Sequence, residues 1–190
     1  MAAYSAVIAG PWRAYSATAG TSLTVGGFPA TPSGFTAIGD NLLSDAGIRI
    51  NWNRTTEAQY VNAEALPVAA FLKQEGITLQ MDFANLDPDF LAVIKNRSKS
   101  TVSSSGTNNA HESFQLDSPV GRLPELALVL SNALHSPVGG ADKGTYLWFP
   151  RVAFTELGET ALMASPGALV PVTVQVIKDN SSNPTLYAES

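Results

Sequence analysis

The sequence contains no cysteine and few charged residues. Because no cysteine occurs among its 190 residues, disulfide bonds and thiolate metal sites are excluded. Charged side chains make up 14% of the chain, less than the roughly one quarter usual in globular domains. The net charge is -5 at pH 7, which disfavours nonspecific binding to nucleic acid or anionic membranes. The chain must therefore be stabilised by packing, without covalent crosslinks.

Long apolar runs and catalytic motifs are also lacking. The first ten residues have no basic segment and no apolar core, so we expect no signal peptide and a soluble product of the cytoplasm. No apolar run approaches the length of a membrane span. No nucleophile elbow, Walker loop or dinucleotide fingerprint occurs, and His111 and His135 have no partner at a metal-ligand spacing. We therefore expect no catalytic residue, no cofactor and no metal site, and thus no enzyme.

Three tryptophans and three arginines leave alternatives open. Trp12, Trp52 and Trp148 could form a platform for stacking on sugars, although strand tryptophans are more often part of a core. Three strand arginines could pair with acids of a neighbouring subunit, or could lie on a solvated strand face that contributes little. These are Arg49, Arg54 and Arg151.

Strict alternation of apolar and polar residues predicts several strands. In residues 47–53 the apolar side chains are Ile48, Ile50 and Trp52, which would share one face of a strand covering about 46–56. Residues 77–83 show the same two-residue period within a predicted strand at 76–84. The clearest alternation is near the end of the chain, in residues 170–176. Such patterns are typical of strands with one buried face.

A short helix is predicted at 88–95. Asp87 provides an N-cap and Pro88 suits the first helical position. Phe90, Val93 and Ile94, at i, i+3 and i+4, would form the apolar stripe that packs on the sheet.

Other elements follow from weaker signals. Short strands are expected at 12–18 and 22–25, and an extended piece at 57–76 with a turn or bulge at 74–76. Residues 125–134 match a helix or a strand. We predict a strand, because a loop and the β-rich segment 145–155 follow and would complete a hairpin. Within that segment, Pro150 indicates a bulge or an edge.

Residues 1–190 are expected to form a single domain. Gly, Ala, Ser, Thr and Pro are dense in 1–44, which we interpret as an extended N-terminal arm. The polar segment 96–118 is interpreted as a long mobile loop that becomes ordered on contact with a neighbour, and 180–190 as a flexible tail. The expected fold class is mainly β: an antiparallel β-sandwich or partly closed barrel with one short flanking α-helix at about 88–95 and long loops.

The order of these signals resembles the tail tube proteins (major tail proteins) of long-tailed, noncontractile bacteriophages, the siphophages. The resemblance covers most of residues 10–179 and involves no catalytic signature. It includes the strand-then-helix unit 77–94 and a closing β-strand. The motifs that carry the resemblance are Gly10-Pro11-Trp12-Arg13, Gly34-Phe35-Thr36-Ala37-Ile38-Gly39-Asp40, Asp45-Ala46-Gly47-Ile48-Arg49-Ile50, Thr55-Thr56-Glu57-Ala58 and Leu147-Trp148-Phe149-Pro150-Arg151-Val152.

The resemblance implies a structural role in the virion. Subunits of such tubes are made in the host cytoplasm and join into hexameric rings, which stack around a channel. The implied partners are other copies of the chain, the tape-measure protein, the tail terminator and the tail-tip proteins. Genomic DNA would pass through the lumen without specific binding, and no membrane contact is implied. The functional residues of such a protein are its interfaces.

Two sets of residues are candidates for those surfaces. The polar sides of the alternating strands could face the lumen: Thr78, Gln80, Asp82, Thr173 and Gln175. The arginines, the polar loop and the arm could form contacts between subunits: Arg49, Arg54, Arg151, Ser98, Lys99, Ser105, Asn108, Phe28 and Phe35.

The alternative function is a β-sandwich binding or decoration module. It would recognise carbohydrate through exposed tryptophans, or would be a head-to-tail joining protein of the same particle. Such a module would remain discrete and would not stack. A hydrolase is the weakest hypothesis, because no nucleophile, base and orienting group can be assembled from the sequence.

Overall fold

A computed structural model describes the protein over ten stretches of the chain. These are residues 12–24, 32–38, 43–59, 69–83, 88–95, 100–103, 109–113, 123–135, 142–158 and 170–188.

Ten strands and one helix occur in the described residues. In chain order they are β1 (Trp12–Thr18), β2 (Thr36–Ala37), β3 (Leu43–Gln59), β4 (Ala69–Phe83), α1 (Pro88–Lys95), β5 (Ser100–Val102), β6 (His111–Ser113), β7 (Glu125–His135), β8 (Asp142–Leu157), β9 (Val170–Val176) and β10 (Thr185–Ala188).

Eight of these strands lie in one antiparallel sheet. Seven of them follow the order β2-β1-β7-β8-β9-β4-β3. The eighth, β10, pairs with β8 but is not part of this linear order. The strands β5 and β6 form a separate pair. The expected fold class, mainly β and antiparallel with one short helix, is confirmed. Over the described stretches the path ends on β2 and β3, so the sheet is open there, although β1 approaches β3.

The main hydrophobic core lies on one face of this sheet. Alternate residues of β4, β7, β8 and β9 point to this face, as the two-residue period of a strand requires. The alternation predicted at 77–83 and 170–176 is thereby confirmed. The buried members are Ala14, Ile38, Leu79, Met81, Phe83, Phe90, Leu91, Ile94, Leu126, Leu128, Leu130, Phe149, Val152, Phe154, Val170, Val172 and Val174.

The helix α1 covers this core and begins at Pro88, as predicted. The Phe90 ring packs against Phe83 with 4.4 Å between the ring centroids. The three residues of the predicted apolar stripe all contact the core: Phe90 and Ile94 are buried, and Val93 is partly buried against it. Leu91, which the stripe did not include, is also buried. The predicted cap, residue 87, lies outside the described residues.

A second, smaller core lies on the opposite face of β1, β7 and β8. Tyr15, Ala127 and Val129 belong to it, and they alternate with residues of the main core along their strands. Tyr146 and Trp148 extend it on β8, and Phe35 is also buried there. This part of the sheet is therefore covered on both faces. The interpretation of 1–44 as an extended arm is wrong for the described residues of that range, since β1, β2 and Phe35 belong to the body of the domain.

The strand prediction for 125–134 is confirmed by β7, which pairs with β8 in the predicted hairpin. The register shifts between Leu126, opposite Val152, and Leu128, opposite Phe149. Pro150 falls in this bulge, and its carbonyl accepts a hydrogen bond of 2.9 Å from the Gly20 amide. The predicted bulge is therefore correct. On the other side of β8, Pro150 lies between the residues that pair with β10 and those that pair with β9.

Three expectations about the connecting segments were wrong. The described residues 22–24 are not in a strand. Residues 185–188 were expected to be part of a flexible tail. They form β10, which makes four residue pairs with β8. Part of the predicted loop 96–118 forms the β5–β6 hairpin. These strands were not predicted because they are short and lie within segments that are polar overall.

Candidate interaction surfaces

A two-stranded ribbon extends from the sheet at its β3–β4 end. The strand β9 pairs with β4 only over 78–83, so that β4 has β3 as its only strand partner, in the described part of the chain, over 69–77. Eight residue pairs, from Trp52 opposite Ile77 to Gln59 opposite Ala69, make up this ribbon. At about 3.4 Å per residue it is roughly 27 Å long. A bulge at Thr55–Thr56 leaves Lys73 unpaired on β4. The turn or bulge predicted at 74–76 was wrong, since β4 continues through these residues.

Trp52 is the most exposed large apolar side chain of the described residues, at 60%. It follows Ile48 and Ile50, which pack at the margin of the main core. The apolar face of the sheet therefore continues beyond the core onto the ribbon. All described side chains from 51 to 58 are exposed, so the domain itself does not cover the β3 side of the ribbon.

Two of the three arginines proposed for subunit contacts pair within their own chain. The Arg54 Nε lies 2.8 Å from Glu75 Oε1, directly across the ribbon. Arg151 donates to the carboxylate of Glu125, and both side chains are partly buried. Arg151 is therefore not free to bind a neighbour in this conformation. Arg49 is exposed and forms no ion pair within the described residues.

The five candidates for a lumen surface are brought together. Gln80 is paired with Thr173 in the ladder between β4 and β9, and Thr78 is paired with Gln175. With Asp82, they lie on the face opposite the main core. The Thr78 hydroxyl also lies 3.3 Å from Gln175 Oε1, and Gln175 Nε2 donates to the carbonyl of Ile77 at 3.1 Å. The sheet thus presents a continuous polar strip.

A groove of about 190 Å³ lies on this polar strip. Its lining includes Arg49, Asp82 and Glu156, together with Gln80 and Thr173. The positive charge of Arg49 and the negative charges of the two carboxylates partly cancel, so the groove has no strong preference for a charged ligand. The groove extends the polar strip onto β3 and the end of β8.

The hairpin β5–β6 forms a second exposed element. Only three residue pairs join its strands, and the described side chains around them are exposed. Two-stranded hairpins are marginally stable alone. Four candidate residues flank or connect these strands, and they lie outside the described residues: Ser98, Lys99, Ser105 and Asn108.

The two phenylalanines proposed for subunit contacts differ in outcome. Phe35 is 6% exposed, because it packs in the second core with Tyr15 and Trp148. It is therefore enclosed by its own domain, and its assignment to a subunit contact stays a prediction. Phe28 lies outside the described residues.

The tryptophans do not form a platform. Trp148 is buried in the second core and Trp12 packs against the main core, which leaves Trp52 alone on the surface. Trp148 Nε1 and both amide atoms of Asn132 are buried without a hydrogen-bond partner. Unpaired buried polar groups cost roughly 1–3 kcal/mol each, so these positions reduce the stability of the lone chain.

The segment between β9 and β10 is exposed and is held by a local turn. Asp179 accepts hydrogen bonds from the Ser181 hydroxyl at 2.6 Å and from the Ser181 amide at 3.3 Å. The hydroxyl hydrogen bond is the main cause that lowers the pKa of Asp179 below its ordinary value. This turn is the principal local structure that the segment shows.

Neither a metal cluster nor a helix that could cross a bilayer is present among the described residues. The fold defines a mainly β domain with two exposed hairpins and a polar strip. A scan against protein-family models and a comparison with curated proteins both find no match. We therefore infer the function from these surfaces.

Proposed function

We propose that the protein is the structural subunit of a tube formed by stacked hexameric rings, as in the tail of a long-tailed, noncontractile bacteriophage. The channel would carry the tape-measure protein during assembly and DNA during ejection. The observation that carries this proposal is the ribbon of β3 and β4, on which all described side chains from 51 to 58 are exposed. The sequence resemblance supplies the kind of assembly.

Among the described strands β3 pairs only with β4, and its other edge supports self-association. This strand is 17 residues long and forms one end of the sheet. A long unpaired edge is an aggregation hazard unless another strand covers it. A head-to-tail contact in which each subunit covers the edge of the next closes into a ring, and such rings can stack.

The size of the ribbon suits a protein partner. A ribbon roughly 27 Å long and two strands wide offers about 250 Å² on each face, before its edges are counted. The hairpin β5–β6 adds further exposed surface. Together these surfaces approach the roughly 800 Å² per partner that a standard interface buries.

The polar strip suits the wall of a channel. Phosphate is held by Lys and Arg through counterion release, and the strip instead contains Thr, Gln and Asp side chains. Arg49 lies opposite Gln80 in the ladder at its β3 border and is the exception. A wall of this composition would allow DNA to pass without binding it. Tail terminator and tail-tip proteins would cap the two ends of the tube.

The exposed Trp52 is the observation that favours the second candidate, a binding or decoration module. A carbohydrate-binding surface commonly uses several aromatic side chains, and here Trp12 and Trp148 are packed inside. A single exposed tryptophan on a ribbon instead matches the interface anchors that dominate protein contacts. We therefore favour self-assembly.

The test compares the wild-type protein with the variant Trp52→Ser. Purified wild-type protein is expected to form six-fold rings or hollow tubes in negative-stain electron microscopy. Loss of an anchor contributing about 2 kcal/mol raises the concentration needed for assembly roughly 30-fold. Sedimentation at a series of protein concentrations measures that shift.

The matched control is Leu123→Ser, which removes another exposed large apolar side chain away from the ribbon. It should assemble like the wild type, and circular dichroism should show that both variants are folded. Discrete wild-type monomers or trimers at high concentration, with binding to glycans, would instead identify a binding module.

A further inference from the structure

The last strand, β10, occupies only part of an edge that it shares with β9. On this edge of β8, β9 pairs with residues 152–157 and β10 with residues 145–148. Four residue pairs hold β10, from Thr185 opposite Trp148 to Ala188 opposite Thr145. A four-residue strand at an edge is a small cooperative unit that opens more readily than the body of a sheet.

The connection between β9 and β10 is longer than this position requires. Val176 pairs with Val152 and Thr185 pairs with Trp148, so the two contacts are four residues apart on β8 but nine apart along the chain. Fully extended, the eight linking residues 177–184 span about 27 Å. The linker can therefore carry β10 to a neighbouring subunit.

Few contacts with other described residues anchor this linker. The Ile177 amide donates to the Arg151 carbonyl at 2.9 Å, and beyond it the main local structure is the Asp179 turn. Most of its side chains are exposed. Moving the linker therefore disturbs little of the core.

The sheet end that receives β10 is also incompletely satisfied. Trp148, opposite the first residue of β10, is 7% exposed and its indole N–H has no acceptor. Asn132, on the neighbouring strand β7, is fully buried and has no partner for either amide atom. The lone chain thus leaves polar groups unpaired around this docking edge.

We propose that β10 is exchanged between subunits in the assembled protein, so that the last strand of one copy pairs with residues 145–148 of another. The exchange rests on the proposed tube assembly, which supplies neighbouring copies. It preserves the four backbone pairs and adds new contacts from the linker. Exchange of identical elements is a low-cost route to association, and the high local concentration in a polymer favours it.

The absence of cysteine makes a direct test possible. Leu147 and Leu186 are opposite each other in the ladder, so a cysteine at each position can form a disulfide when the strands are paired. The single variants Leu147→Cys and Leu186→Cys are mixed, assembled and oxidised, and the products are separated on a non-reducing gel. A disulfide between the two variants requires that β10 of one chain docks on β8 of another.

Exchange predicts a band of twice the chain mass in the mixture, and none when either variant is assembled alone. As a control for chance collisions, Leu157→Cys, at the other end of β8, replaces Leu147→Cys in a parallel mixture and should give no such band. The double variant L147C/L186C shows whether the disulfide forms within one chain.

The outcomes separate the two proposals. Tubes without the double-mass band, together with a disulfide inside single chains of the double variant, would overturn exchange and leave tube assembly intact. Failure to form rings or tubes would contradict the proposed function, whereas a double-mass band from such a sample would still support exchange. Neither tubes nor the band would overturn both.

Discussion

At the scale of single residues, Gly158 shows how closely two strands meet. Its amide donates to the Pro171 carbonyl at 2.8 Å, where β8 ends beside the start of β9. A Cβ atom at this position would lie 2.7 Å from Pro171 Cγ. The proline ring cannot rotate away as a flexible side chain can. The glycine is therefore required by packing between neighbouring strands.

Replacing Gly158 with alanine should lower the free energy of unfolding by about 1–3 kcal/mol, the usual effect of overpacking. Chemical denaturation followed by circular dichroism measures this change. Gly76→Ala is the matched control. Its Cβ would meet nothing closer than Gln175 Nε2 at 4.0 Å, so it should be neutral or slightly stabilising. Equal stability of both variants would contradict this packing.

Residue identity alone did not predict the ion pairs. The sequence shows that Arg54 and Arg151 lie on strands, but their partners depend on the strand register. Glu75 lies opposite Arg54 because β4 folds back on β3, and Glu125 reaches Arg151 because β7 pairs with β8 around a bulge. The outward direction of these side chains was predictable from alternation, whereas their pairing required the topology.

At the scale of elements, the sequence predicted where the helix α1 begins and ends, but not every residue that it buries. Its start at Pro88 follows from local chemistry, and its bounds were predicted correctly. The choice between Leu91 and Val93 as a core residue depends instead on how the helix is rotated against the sheet. The Phe90 ring contacts Phe83 of β4, and a contact with another element does not follow from the helix sequence alone.

The variants Leu91→Ala and Val93→Ala test this rotation. Leu91 is 8% exposed, so its truncation should cost about 2–5 kcal/mol of unfolding free energy. The partly buried Val93 should cost roughly 1 kcal/mol or less, since it loses fewer methyl groups and already contacts solvent. Denaturation curves of both variants give the comparison. A larger loss of unfolding free energy for Val93→Ala than for Leu91→Ala would contradict this rotation of the helix.

Short strands inside polar segments were the elements that the sequence did not reveal. The pairs in β5–β6 and β10 are short and depend on backbone hydrogen bonds, which any residue except proline can donate. The composition of the whole segments 96–118 and 180–190 predicted flexibility, although β10 itself contains Leu186 and Tyr187. Strands with a buried face, such as β9, were predicted correctly because burial fixes their alternation.

At the scale of the whole molecule, the fold class was predictable and the exposed surfaces were only partly so. Alternation predicted that Gln80 and Thr173 face away from the core, but not that their strands are neighbours. The ribbon was not predicted, because 57–76 was interpreted as one extended piece, whereas β3 continues to Gln59 and β4 begins at Ala69. What distinguishes it is the point at which β9 ends, which is a property of the complete sheet.

Removing the hairpin tests how the molecule assembles. Replacing residues 100–113 with a short Gly-Ser linker should leave the main sheet folded, since β5 and β6 pair only with each other among the described strands. We expect a thermal unfolding transition within a few degrees of the wild type and a loss of tubes or rings. Calorimetry and negative-stain microscopy measure these two results. Tubes of normal appearance would rule out a role for the hairpin in assembly.

The bulge in the ribbon has a consequence for how such an assembly could change over time. One unpaired residue, Lys73, increases the local coiling of the two strands and turns the outer part of the ribbon relative to the body. Deleting or inserting a single codon there would re-aim the tip while the core retains its register. The angle between successive layers of a particle could thus be adjusted by genetic changes too small to alter the fold.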